Sequence, residues 1–136
     1  MKPSSRRQVL GGVLATALAI SLEPWRALVR SAPPPLAERL VRVVRDQVSA
    51  EVAGTAALAG AVTARTLSAV VDEIGATVPG GVPALEAASR GELADLVRQR
   101  VADDFAELRV VGVNGWIVAD TEARVFALVA LFRGDR

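Results

Sequence analysis

Asp103-Asp104-Phe105-Ala106-Glu107-Leu108-Arg109-Val110-Val111-Gly112-Val113-Asn114-Gly115-Trp116-Ile117-Val118-Ala119-Asp120-Thr121-Glu122-Ala123-Arg124 reads as helix, hairpin, helix. Asn114-Gly115 decides the reading, because it stands between two runs of β-branched residues and both positions accept the positive φ of a tight type I′ turn. A ribbon over residues 109–118 follows. Asp120 or Ala119 then caps a last helix, with Thr121 and Glu122 in the first turn, where the helix dipole favours negative charge.

Outward from the hairpin, the chain is helical in pattern. Ser89-Arg90-Gly91-Glu92 has the form of a capping box, and Leu93, Leu96, Val97, Val101, Phe105 and Leu108 follow as a buried stripe. Leu36, Leu40, Val43, Val44 and Val48 recur at helical spacing, with Glu38, Arg39, Arg42, Arg45 and Asp46 on a solvated, paired face. Thr55 to Ile74 reads as one closely packed helix; a membrane span over residues 52–71 would carry Arg65 near its centre, which costs roughly 2.5 kcal/mol or more. Val78-Pro79-Gly80-Gly81-Val82-Pro83 reads as a loop, since no Lys-Ser/Thr follows to make a phosphate cradle. Val125 to Phe132 is apolar all round, which predicts the central helix of a bundle or a helix half in the core and half a docking surface. The expected fold is mainly α, a small bundle of about four helices with one short β-hairpin before the last.

Composition restricts the chemistry. The 136 residues are 51% hydrophobic but only 4% aromatic, so the core is built from Ala, Val and Leu. There is no Cys, His or Tyr, which removes thiol and imidazole catalysis, disulfides, lipoprotein anchoring and the usual zinc, haem and iron–sulfur ligation. No cofactor or metal is implied. Asp103, Asp104 and Glu107 lie close together but lack the carbonyl-donating loop of a calcium site, and a solvated acidic face accounts for them. Five of the 16 basic residues precede Ala32, which leaves 11 against 14 acidic ones beyond it. A mildly acidic domain without a basic stripe is not built to hold nucleic acid.

The amino terminus carries a second pattern. Ser5-Arg6-Arg7-Gln8-Val9-Leu10 leads into an uncharged run from Val9 to Leu22, too short to span a bilayer as a helix but right for the apolar part of an export signal. Ser5, Arg6, Arg7 and Leu10 resemble the twin-arginine (Tat) signal, with Val9 and Gly11 where that pattern usually has Phe and Lys. The resemblance implies recognition by the Tat translocase and a periplasmic or extracytoplasmic location. Ala19-Ile20-Ser21 is the best-placed cleavage candidate; uncleaved, the segment acts as a membrane tether. Ala32-Pro33-Pro34-Pro35 is a stiff spacer, dividing a signal segment at 1–31 from one domain at 32–136.

Asp104, Phe105, Val113, Gly115, Trp116, Val118, Ala119, Thr121, Glu122, Ala123 and Arg124 resemble the carboxy-terminal block of small Tat-signalled bacterial proteins of uncharacterised function. That family brings a location and an architecture, not an activity. Size, signal and helical character also give a looser likeness to the small accessory subunits of membrane-bound sugar and polyol dehydrogenases, which escort a larger flavoprotein through the Tat machinery. Two functions follow as expectations. One is a non-catalytic accessory or interaction protein of the cell envelope, with a larger envelope protein as partner and Trp116, Asp120, Glu122, Arg124 and Phe126 as the interaction or packing cluster. The other is a small enzyme doing carboxylate acid–base work with Asp120, Glu122 and Arg124 beside Trp116. Within the fold, Trp116 is expected to pin the last helix against the preceding one.

Overall fold

A computed structural model describes residues 35–136. The export-signal residues Ser5, Arg6, Arg7 and Leu10, the apolar run and the candidate cleavage site lie outside the described residues. The fold is mainly helical with a two-stranded antiparallel hairpin before the last helix. In chain order it comprises α1 (Leu36–Val41), α2 (Gln47–Ala59), α3 (Leu67–Ala76), α4 (Gly81–Ala87), α5 (Arg90–Ala106), β1 (Val110–Val113), β2 (Trp116–Ala119) and α6 (Asp120–Gly134).

The sequence pattern predicts fewer and longer helices, and each difference has a local cause. The stripe from Leu36 to Val48 is broken after Val41. Asp46 accepts the Ser49 amide at 3.0 Å and so starts a new helix, while the Gln47 side chain donates to the Val41 and Val44 carbonyls at 2.6 and 3.0 Å and ties the turn to it. The expected helix over 55–74 is also two. It stops at Gly60, Arg65 donates to the Val62 carbonyl at 2.6 Å, and Thr66 caps α3 through the Ala69 amide at 3.2 Å. The expected loop at 78–83 is shorter than its sequence suggests, because Gly80 turns the chain at φ 83° and α4 takes Pro83 into its first turn, where a missing N–H costs nothing. Arg39 of α1 donates to the Glu86 carbonyl at 3.0 Å and to that of Ala88, closing the far end of α4.

The last helix is central. It packs most extensively on α2 and also on α1, α3 and α5, and Ala123, Ala127, Leu128 and Val129 are completely buried. Leu40, Val70, Ile74, Leu85 and Leu93 complete the core around it. Gly54 lets α2 approach this closely, since a Cβ there would lie 1.9 Å from the Phe126 carbonyl oxygen. No helix among the described residues is long and apolar enough to cross a membrane.

The hairpin has the predicted turn. Asn114 and Gly115 take φ of 48° and 80°, and Val113 pairs with Trp116 across a two-residue loop. Burial along the ribbon follows neither distance from its base nor a simple alternation of faces, since Val113, next to the turn, is only 4% exposed. Ala119 is buried and Val110, Val111 and Val118 half-buried, while Gly112, Trp116 and Ile117 near the tip are exposed. Trp116 is therefore not the pin expected from the sequence: it is 76% exposed. It follows the turn directly, and its register partner Val113 fills the core contact instead. Phe105 and Leu108, expected in the buried stripe of α5, are exposed as well. The helix ends at Ala106 and closes with a Schellman pair, Arg109 N–H to Asp104 C=O at 2.8 Å and Leu108 N–H to Phe105 C=O at 3.3 Å, which turns Leu108 into solvent at φ 57°.

Candidate functional site

What holds the ribbon is a carboxylate. Asp104 is 2% exposed near the end of α5. Its Oδ2 accepts the Thr121 amide at 2.8 Å, and its Oδ1 accepts Arg109 Nε at 2.9 Å. The position that should cap α6 is Ala119, which has no side-chain acceptor, so Asp104 supplies the missing oxygen from another helix. Asp120, a candidate cap from the sequence, is already the first residue of the helix. Glu122 completes the turn by accepting the Ala119 amide at 3.3 Å, and the Asp120 amide donates to the Arg109 carbonyl at 3.0 Å. Burial pushes the Asp104 carboxyl pKa up, but hydrogen bonds from Thr121 and Arg109, with the charge of Arg109, outweigh it and hold the group below the ordinary carboxylate value.

The acidic residues considered as a metal site are committed to cations and amides. Asp103 accepts Gln99 Nε2 at 2.9 Å and meets Arg100, while Glu107 pairs with Arg109. Among the described residues no group of three or more carboxylates gathers around a point.

The five residues named as a cluster divide between two sides of α6. Asp120 and Arg124 are one turn apart and pair with each other, and Arg124 Nε reaches Glu73 of α3 at 2.9 Å. Burial lowers the Arg124 pKa, but its bonds to Asp120 and Glu73 raise it by more, so the guanidinium stays charged. Glu122 and Phe126, also one turn apart, lie on the opposite side, because a step of two residues rotates about 200° around a helix. They face a groove of about 660 Å³ with Trp116 and Ile117 of the hairpin and Val48 and Val52 of α2. Asp120 and Arg124 are absent from its lining. The carboxylate pair proposed for acid–base work is thus split, with one member on a salt bridge and the other on a backbone amide.

Around this groove the surface is unusually apolar. Val48 and Val52, one turn apart, are 66% and 60% exposed, and Ile117 beside Trp116 is 70% exposed. The sequence pattern assigned Val48 to the core stripe of the first helix; the break at Asp46 rotates it outward. No signal in the sequence joined α2 to the hairpin, since the two meet only through the tertiary fold. No family model, curated protein or solved structure matches this chain.

Proposed function

We propose that this chain is an exported, non-catalytic accessory protein of the cell envelope that binds a larger envelope protein through the groove between α2 and the hairpin. The observation that carries the reading is the convergence of Trp116, Ile117, Val48 and Val52, four large apolar side chains left in water around one hollow. Fully covering four such side chains is worth on the order of 6 kcal/mol before the costs of association. Trp is also among the residues that most often dominate interfaces.

The location rests on Ser5, Arg6, Arg7 and Leu10 and their resemblance to a twin-arginine signal. A narrower form of the reading has the partner as an exported oxidoreductase, escorted by this chain. The experiment is site-specific photo-crosslinking in cells, with the photoreactive residue at position 117 and Arg6 and Arg7 intact or both changed to Lys. The reading expects a crosslink to one larger envelope protein that disappears when the arginine pair is changed. Crosslinking only to a second copy of the chain, or a crosslink and a distribution unaffected by the arginine pair, contradicts it. The identity of the captured protein decides the narrower form.

A further inference from the structure

On the other side of Phe126 lies a larger hollow, of about 910 Å³. That is within the range of pockets that take small organic ligands. Its floor is aliphatic: Val44 after α1, Val97 and Val101 of α5, and Val125 of α6, with Phe126 at one side. Its mouth is cationic, with Arg42 and Arg45 from the turn between α1 and α2 and Arg90 and Arg98 from α5. This concentration is local, since acidic residues outnumber basic ones beyond Ala32.

The four arginines are not equally occupied. Arg42 pairs with Glu38 and Arg98 with Asp95. Arg45 and Arg90 have no carboxylate within salt-bridge distance among the described residues. Glu122 is the one carboxylate on the lining, and it is held by the Ala119 amide. The hollow shares Val44, Glu122 and Phe126 with the groove beside Trp116, so the apolar lining is continuous from the arginines to the hairpin tip.

We propose that this hollow binds the anion of a medium-chain fatty acid, with the carboxylate between Arg45 and Arg90 and the hydrocarbon chain along Val97, Val101 and Val125 towards Phe126. A guanidinium meets a carboxylate through two parallel N–H bonds and stays charged at any physiological pH. Branched aliphatic side chains suit methylene groups, whereas a nucleotide asks for stacking rings and a backbone cradle that this floor does not offer. The inference does not depend on the partner protein.

The test is calorimetric titration of the full chain with laurate below its micellar concentration, beside acetate and the uncharged monoglyceride of laurate. One laurate is expected per chain, with acetate and the monoglyceride at least tenfold weaker. The double variant Arg45→Gln/Arg90→Gln, both at exposed positions, is expected to lose at least tenfold in laurate affinity at an unchanged melting temperature. Val97→Trp, which fills the floor, is expected to reduce binding with the arginines intact. No laurate binding, equal binding of the monoglyceride, or full binding by the double arginine variant overturns the proposal.

Discussion

The carboxylate of Asp104 accepts the backbone amide of Thr121 at 2.8 Å across 17 residues of chain, so the last helix is capped by the helix before the hairpin. The same carboxylate takes Arg109, the residue that opens the ribbon. One buried group therefore fixes both ends of the hairpin, and at the tip Val113 packs on the core while Trp116 stays in solvent.

Removing that carboxylate should be costly. Asp104→Ala leaves the buried Thr121 amide without its acceptor and Arg109 with Glu107 alone, and a loss of about 3 kcal/mol is expected. For a domain of this size it corresponds to a fall of roughly 15 °C in melting temperature. Asp104→Asn keeps one acceptor and is expected to lose about half as much. Thermal unfolding followed by circular dichroism measures both, and a loss below about 1 kcal/mol for the alanine variant would show that the cap is supplied elsewhere.

Acid should act through the same residue. The folded-state pKa of Asp104 lies below its ordinary value, so its stabilisation is complete above the unfolded value and is lost as the pH falls through the folded one. Asp46, lowered by its side-chain and backbone bonds from Ser49, acts in the same direction. With no His in the chain, the melting temperature is expected to stay flat between about pH 5 and 8 and to drop below about pH 4. Asp104→Asn should flatten part of that drop; an unchanged acid limb in this variant would assign it to other carboxylates.

Leu108 offers the opposite sign. It occupies the left-handed position of the Schellman turn at φ 57° and is 82% exposed, so glycine relieves strain there without losing packing. Leu108→Gly should stabilise by about 0.5–1 kcal/mol after the extra chain entropy of glycine is subtracted. Chemical denaturation reads a shift of this size, and a lower midpoint would mean that Leu108 packs in solution.

Gly54 should tolerate nothing larger. Its missing Cβ admits the Phe126 carbonyl and the Ala130 methyl, which an added methyl would meet at 1.9 and 2.9 Å. Gly54→Ala is expected to cost about 2 kcal/mol or more by forcing α2 off α6, although alanine is the better helix former. A neutral result in thermal unfolding would contradict the close crossing of these two helices.

Much of this fold was legible in the chain wherever one local rule sufficed. Asn114-Gly115 gave the turn, Ser89 with Glu92 the start of α5, and the unbroken run after Val125 the central helix. The breaks at Asp46 and at Gly60–Thr66 were harder to see, because apolar spacing continues through them and only the capping side chains mark the restart. Trp116 was misread for another reason. Val113 and Trp116 form one rung of the ribbon, yet Val113 is buried and Trp116 is 76% exposed, and which of the two meets the helices is set by the tertiary fold and not by the alternation. Asp104 stands in the sequence among three acidic neighbours and in the carboxy-terminal block, but neither shows its capping role, since its partners, Thr121 and Arg109, are supplied by the fold.

The docking face proposed at Trp116 and its neighbours requires that these side chains bind a partner without supporting the core. Melting temperature is measured together with capture of the proposed envelope partner, for the wild type and for Val48→Ser/Trp116→Ser/Ile117→Ser. A melting temperature within about 3 °C of wild type is expected, as exposed positions contribute little to stability, together with loss of the captured protein. A large fall in melting temperature, or undiminished capture by the triple variant, would contradict it.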